Sequence, residues 1–205
     1  MLILFLVLLG LYLFVPGRTP APAGRFIAAT DDSTNLFRAI SLYQEATTLD
    51  PHFALAYAAL GQVYQFMYFA WGPRGNFLQE AVLATEKALA IDSTLAEGYV
   101  TRGNLLWNRA SRFAHEESIR EEQKALRLNP NIASAHQSLG GIYFHIGLLD
   151  ESLRELRTAL LLDPLNIWTP PRIARIYRYM GKFDSSVAII GKLTTEGRGS
   201  PGSPP

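Results

Sequence analysis

The sequence predicts an all-α fold in which antiparallel helix pairs stack side by side as a solenoid. Between residues 34 and 193, apolar residues recur at helical spacing in segments of roughly 12–16 residues, and no segment alternates like a strand. The breaks between segments also recur, at positions 50, 92, 129 and 163, which are 42, 37 and 34 residues apart. Self-similarity at a period of roughly 20–50 residues indicates a repeat architecture. The breaks are Asp50-Pro51, Asp92-Ser93, Asn129-Pro130 and Asp163-Pro164.

Each break separates two helices, because proline is excluded from a helix interior but is accepted in the first turn of the next helix. The stretch from Leu49 to Tyr64 shows this pattern, with Asp50-Pro51 between two apolar runs. The predicted helices are a lone helix over 35–49 and the pairs 54–68 with 77–91, 96–109 with 114–128, 133–146 with 150–162, and 170–180 with 184–193.

Composition favours one modest globular domain with extra segments at its ends. The chain has 205 residues, of which 48% are hydrophobic and 18% charged, so it can bury a core. Its net charge of +1 gives no electrostatic case for a nucleic-acid partner, which would require a basic face. It contains no cysteine, which excludes disulfides and thiolate chemistry.

The N-terminus is an apolar run from Leu2 to Val15. We expect residues 1–16 to form a single-pass membrane anchor or an uncleaved signal, although a span of about 20 residues is more usual. A cleaved signal peptide is an alternative, because Ala21-Pro22-Ala23 resembles a small-residue cleavage site. A third possibility is that Met1 lies inside a longer natural protein.

The remaining boundaries follow from composition. Residues 17–33 are rich in Pro, Ala and Gly and are predicted to be a linker. Residues 194–205 have almost nothing to bury and are predicted to be a disordered tail. The repeat domain between them, 34–193, divides into a half repeat over 35–51 and four repeats over 54–93, 96–130, 133–164 and 167–193.

Both helices of the repeat carry a recognisable pattern. The first helix has a large residue, then Leu-Gly, then Tyr. The full match is Tyr57, Leu60, Gly61 and Tyr64, and a near match is His136, Leu139, Gly140 and Tyr143. Partial matches are Tyr99, Arg102, Gly103 and Leu106, and Pro170, Ile173, Ala174 and Tyr177. The second helix has a small residue, an aromatic, Ala and then Pro, and Ala39, Tyr43, Ala46 and Pro51 match in full. Partial matches are Ala81, Thr85, Ala88 and Ser93; Ser118, Glu122, Ala125 and Pro130; and Ser152, Leu156, Ala159 and Pro164. The last repeat has Ser186, Ile190 and Leu193 but no Pro.

In these motifs the chain resembles the tetratricopeptide-repeat (TPR) family over about 160 residues. The resemblance implies a right-handed α-solenoid whose first helices line a concave, partner-binding surface. It is similar in particular to the TPR region of bacterial membrane-bound regulators, in which the repeats lie outside the cytoplasm. That similarity implies an extracytoplasmic (periplasmic) repeat domain, whereas Arg18 and Arg25 after the apolar run favour the opposite orientation.

No motif for catalysis, a cofactor or a metal is found. Gly181-Lys182 and Gly191-Lys192 lack the rest of a phosphate-binding loop, and Ile119 stands where a zinc helix that begins at His115 would need its second His. The four histidines are scattered along the sequence, so we expect structural or solvated roles for them. The acidic run from Glu116 to Glu122 is predicted to be a solvated face near a helix start.

The best candidates for function are polar and aromatic residues on the first helices, at positions that the TPR register assigns to the concave face. Amides, arginines and exposed aromatics suit a surface that binds a peptide. The candidates are Gln62, Gln65, Phe66, Asn104, Trp107, Asn108, Gln137, Phe144, His145, Arg175, Arg178 and Tyr179.

An insertion over 66–75 interrupts the first full repeat with Tyr68, Phe69 and Trp71. Solvating all three would expose a large apolar surface. Either the insertion lengthens the first helix and packs against its neighbour, or it is a docking surface for a partner or the bilayer interface.

Two functions are compatible with these features. The first is a membrane-anchored, non-enzymatic scaffold, or accessory subunit of a membrane complex, that binds a protein or peptide segment. The second is a sensory fragment of a bacterial membrane signalling enzyme, a kinase or cyclase, that lacks its catalytic domain.

Overall fold

A computed structural model describes residues 33–73, 75–108 and 111–195. The predicted anchor over 1–16, most of the linker and most of the tail lie outside these ranges. Within them, every helix is too short or too polar to cross a bilayer.

The described ranges form nine α-helices and contain no strand, as the helical periodicity predicts. The helices are α1 (Ser33–Leu49), α2 (Ala54–Trp71), α3 (Phe77–Ile91), α4 (Ala96–Leu106), α5 (His115–Leu128), α6 (Ala133–His145), α7 (Leu149–Leu162), α8 (Thr169–Tyr179) and α9 (Phe183–Thr195).

Two helix ends differ by three residues from the predicted bounds, and every other bound agrees to within two residues. Helix α2 continues to Trp71, beyond the predicted residue 68, and stops at Gly72, whose φ of 76° favours glycine. Helix α4 stops at Leu106 rather than at residue 109. The chain that follows this helix contains Arg112 and Phe113, whose φ angles are 51° and 54°.

Four helices end in the same way, which explains the periodic Asp and Asn residues. At each break, the backbone N–H of Asp or Asn donates to the carbonyl of an Ala four residues earlier, at 2.8–2.9 Å. At three of the breaks the side-chain oxygen then accepts the N–H two residues on: from His52 to Asp50 (2.9 Å), from Thr94 to Asp92 (2.8 Å) and from Asn131 to Asn129 (3.1 Å). The paired residues are Asp50 with Ala46, Asp92 with Ala88, Asn129 with Ala125, and Asp163 with Ala159.

The chain divides into two compact units, residues 1–105 and 106–205. In unit 1, helices α1, α2 and α3 enclose an apolar cluster around Met67, which is fully buried. Gly61 on α2 lies against Thr85 on α3, where a Cβ at residue 61 would be 2.5 Å from the Thr85 hydroxyl oxygen. Gly61 thus permits the close approach of α2 to α3.

Unit 2 repeats one contact between the two helices of a pair. The hydroxyl of Ser152 on α7 donates to the carbonyl of Gly140 on α6 at 2.6 Å. Twelve residues also separate Ser186 on α9 from Ala174 on α8, and the same bond forms there at 2.8 Å. A small residue on the first helix and a Ser on the second therefore bring both pairs together in the same register.

Candidate partner-binding site

In unit 1, the predicted contact residues lie on the first helices α2 and α4. Gln62, Gln65 and Asn104 are half-buried, so part of each side chain is accessible. Phe66 instead packs against the apolar cluster around Met67. The amide side chains therefore remain candidates for partner contacts, whereas Phe66 contributes to the core.

The three aromatic residues of the insertion divide between packing and exposure. Trp71 packs against the core of unit 1, with its ring centroid 5.8 Å from those of both Phe37 and Phe77. Phe69 is 50% exposed and meets Tyr68 edge to face at 5.5 Å. The lengthened helix agrees with the packing alternative, and a docking role for Tyr68 and Phe69 stays a prediction.

We expect Trp71→Ala to lower the free energy of unfolding by about 2–3 kcal/mol, because a half-buried indole loses part of what a core aromatic contributes. Phe69→Ala, the matched control on the same helix, should change it by less than about 1 kcal/mol because half of its side chain is already solvated. Chemical denaturation of both variants checks this. Equal losses would show that the two rings pack alike.

In unit 2, α6 and α8 present the predicted residues side by side. The guanidinium of Arg175 lies 4.7 Å from the ring centroid of Phe144, and that ring meets Tyr179 edge to face at 5.2 Å. Arg178 is exposed on the next turn of α8. The amide of Gln137 donates to the side chains of Asn166 (3.4 Å) and Thr169 (3.3 Å), which ties α6 to the start of α8.

Asn108 is a correction to the predicted surface. Its side chain is only 2% exposed, so it is not available to a partner. Its amide donates to the Ser111 hydroxyl at 3.1 Å, and its carbonyl oxygen accepts the Ser111 N–H at 3.2 Å. The backbone carbonyl of Asn108 also accepts the N–H of Phe113 at 2.9 Å. Asn108 thus stabilises the turn that contains two consecutive left-handed residues.

The same turn builds an aromatic and histidine cluster that the sequence did not predict. His115 Nε2 and His145 Nδ1 are 2.7 Å apart. The ring of Phe113 lies 5.0 Å from that of His145, and Trp107 meets His145 edge to face at 5.8 Å. Trp107 itself covers Gly141, where a Cβ would lie 3.3 Å from the indole. Trp107 and His145 were both predicted as partner contacts, and the structure joins them in one surface cluster.

The two imidazole nitrogens are at hydrogen-bond distance from each other. Their centroids are 4.9 Å apart, close to the 2.7 Å N···N distance plus the two ring radii, so the nitrogens point at each other. One ring donates and the other accepts, which requires at least one neutral ring. The described residues contain no group of three or more His, Cys, Asp or Glu that could hold a metal.

We expect the folded structure to lower the pKa of His115 and to raise the pKa of His136. Partial burial, and then the charge of His145, lower the pKa of His115. A 2.6 Å hydrogen bond to Glu155 is the main cause that raises the pKa of His136. By linkage, His115 lowers the free energy of unfolding as the pH falls below its unfolded pKa of about 6.5, because the unfolded imidazole then binds a proton that the folded one resists. His136 stabilises the fold below that value, and its contribution is lost as the pH rises through the folded pKa.

NMR titration of the imidazole protons checks this assignment. In the full chain, His115 should titrate below about pH 6.5 and His136 above it. His145→Gln should raise the His115 midpoint, and Glu155→Gln should lower the His136 midpoint. A His115 midpoint that does not move in His145→Gln would show that the pair is not formed in solution.

Two charged residues of unit 2 have environments that the sequence did not predict. Glu122 is fully buried, although the acidic run was predicted to be solvated; Glu116 and Glu117 do lie on the surface, where both pair with Arg120. Arg172 is half-buried beside Arg175. The sequence does indicate that Arg172 lies in a basic segment, because the stretch 169–182 carries four cations and no acidic residue.

Comparison with known proteins identifies the fold. No protein-family model and no curated protein matches the sequence. Solved structures do match: TTC0263, a TPR protein of Thermus thermophilus, is 19% identical with a TM-score of 0.64, over 78% of this chain and 82% of that one. MamA is 23% identical with a TM-score of 0.55, over 77% of this chain and 86% of that one.

A third structure, YrrB, is described as a TPR protein with an unusual peptide-binding site. It is 22% identical with a TM-score of 0.50, over 83% of this chain and 81% of that one. At these identities the similarity establishes the architecture. The chain therefore has the tetratricopeptide-repeat fold.

Proposed function

We propose that this protein is a membrane-anchored, non-enzymatic scaffold that binds a protein partner through the first helices of its repeats. The observation that carries the proposal is the α6–α8 face of unit 2. There, Arg175 stacks on the Phe144 ring, and that ring meets Tyr179 edge to face. The group remains accessible, and Tyr179 is 67% exposed. Arginine and tyrosine are the residue types that contribute most to protein interfaces.

The fold supports the same proposal. Stacked helix pairs present long surfaces that extended ligands can follow. One of the similar structures, YrrB, is described as having a peptide-binding site. The partner is a protein, a peptide segment or another subunit of a membrane complex.

Affinity purification from solubilised membranes tests the proposal. We expect the full chain to co-purify with a defined partner at near-stoichiometric yield. Tyr179→Ser should reduce that yield about tenfold, as the loss of a hot-spot aromatic does. Leu161→Ser on the second helix α7 is the matched control, because Leu161 is 81% exposed and its change should have no effect. Equal yields from both variants, or no enriched protein, would contradict the proposal.

Anchoring through residues 1–16 and an extracytoplasmic location are part of the proposal. The apolar run supports the anchor. The similarity to membrane-bound regulators supports the extracytoplasmic location, which Arg18 and Arg25 oppose. Protease added to intact spheroplasts should digest the repeats. Digestion only after lysis would place them in the cytoplasm, and a repeat domain that is released by washing would exclude the anchor.

A further inference from the structure

The solvent face of α8 is strongly basic. Arg172, Arg175, Arg178 and Tyr179 lie on one side of the helix, opposite the buried Ile173. The three arginines cover about 9 Å along the helix axis, at ~1.5 Å per residue. We call Arg172, Arg175 and Arg178 the arginine row.

The row has no acidic partner within the part of the chain that the structure describes. The ion pairs that unit 2 forms at Arg120 and His136 include no member of the row. Arg157 on α7, in contrast to the row, has a hydrogen-bond partner, because it donates to the Tyr177 hydroxyl. The row is thus a set of guanidinium groups with unused hydrogen-bond donors.

Burial makes an unpaired guanidinium costly. Removal from water is the main cause that lowers the pKa of Arg172, and the neighbouring charge of Arg175 adds to it. Charges that are partly removed from water are normally paired. An anion placed between Arg172 and Arg175 would offset both effects at once.

One member of the row, Arg175, is also held in position before any ligand arrives. Arg175 is stacked on Phe144 at 4.7 Å, and Gln137 links α6 to the first turn of α8. A guanidinium whose orientation is already fixed loses less entropy when it binds a carboxylate bidentately. The Phe144–Tyr179 pair adds an apolar surface directly beside these donors.

We propose that the arginine row and the Phe144–Tyr179 pair bind an acidic protein segment, in which Asp or Glu residues flank one aromatic or apolar residue. This inference rests on the proposed scaffold function and specifies the partner's chemistry. A span of about 9 Å matches roughly three residues of an extended chain, at ~3.3 Å each. Two acidic residues that flank one central residue lie about 6.6 Å apart in an extended chain, so both fit within the length of the row and can reach two of its three arginines. A nucleic acid would instead require a wider basic face than this chain of net charge +1 presents.

Fluorescence anisotropy of the full chain in a neutral detergent tests the inference. The probe is a short synthetic peptide with Glu at alternating positions around one Phe, and its control replaces every Glu with Gln. We expect the Glu peptide to bind at least tenfold more tightly, and its affinity to fall as salt rises. Arg172→Gln, Arg175→Gln and Arg178→Gln should each weaken binding about tenfold, since a charge-assisted hydrogen bond is lost in each.

The matched control is Arg154→Gln, which removes an exposed arginine from the second helix α7. It should leave the affinity within twofold. Thermal melting of each variant confirms that it is folded. Equal binding of the Glu and Gln peptides, or an equal loss in Arg154→Gln, would overturn the inference.

Vesicles that contain anionic phosphatidylglycerol provide a second arm. Binding to these vesicles that depends on the arginine row, without binding to the Glu peptide, would assign the row to lipid and overturn the inference. The scaffold proposal is judged separately by the co-purification of a partner. A partner that is lost in Tyr179→Ser but retained when all three arginines are changed to Gln would preserve the scaffold and refute its acidic ligand.

Discussion

Gly140→Leu is expected to lower the free energy of unfolding by about 3 kcal/mol, at the upper end of the cost of overpacking a core. Even a Cβ at this position would lie 2.6 Å from Cγ of Leu156 and 3.3 Å from the carbonyl oxygen of Ser152. The contact is in the interior of the α6–α7 pair, where Ser152 also donates to the Gly140 carbonyl. A leucine side chain can be accommodated only if the two helices move apart and that hydrogen bond breaks.

Denaturant unfolding of the full chain measures this effect, and Gly191→Ala is its control. Apart from the adjoining backbone of its own helix, no described atom lies within 4 Å of a Cβ built at Gly191, so that change should be neutral or slightly stabilising. Gly140→Ala should fall between the two. If Gly140→Leu unfolds within about 0.5 kcal/mol of the parent, as a surface substitution does, the α6–α7 packing described above is wrong.

Glu122→Gln is expected to stabilise the protein at neutral pH by roughly 1–3 kcal/mol, because the buried carboxyl must keep a proton that unfolded Glu has released, and Gln removes this cost. Burial is the main cause that raises the pKa of Glu122 well above its usual value, and the charge of Glu121 contributes further. The Ser138 hydroxyl opposes part of this shift, yet neither carboxyl oxygen makes a hydrogen bond of good geometry with a described residue.

The sign of the pH dependence follows from linkage. Because the folded pKa exceeds the unfolded value of about 4.3, the native state retains a proton that the unfolded state has released. The free energy of unfolding therefore falls as the pH rises above that value. Glu122→Gln cannot ionise, so this decrease should disappear in the variant. Denaturation at pH 5 and pH 8 checks it, and parallel profiles for variant and parent would show that Glu122 is solvated.

Helix positions could be predicted from the sequence because local chemistry determines them. Side chains of Asp or Asn at three of the breaks accept the backbone N–H two residues ahead. A proline at three of the breaks prevents the preceding helix from continuing. The small residue at Gly140 is likewise required by a contact between the two helices of its own pair. Such signals lie within a few residues of the feature that they specify, or at a fixed spacing from it within one repeat.

The features that could not be predicted depend on contacts distant in sequence. His115 and His145 are 30 residues apart and meet only because a turn with two positive φ angles redirects the chain. Glu122 occupies a position where the repeat pattern expects an aromatic, and polarity alone suggested a solvated residue. Asn108 is of a residue type that is typical of surfaces, but its side chain forms hydrogen bonds within its own turn.

Site-specific photo-crosslinking in growing cells tests most directly whether partners bind through the first helices. A benzophenone amino acid placed at Tyr179 on α8 should crosslink to a defined protein. The same amino acid at Leu161 on α7, which at 81% is even more exposed than Tyr179 at 67%, should not. A crosslink from Leu161 with none from Tyr179 would contradict the account, because the partner would then bind the second helices.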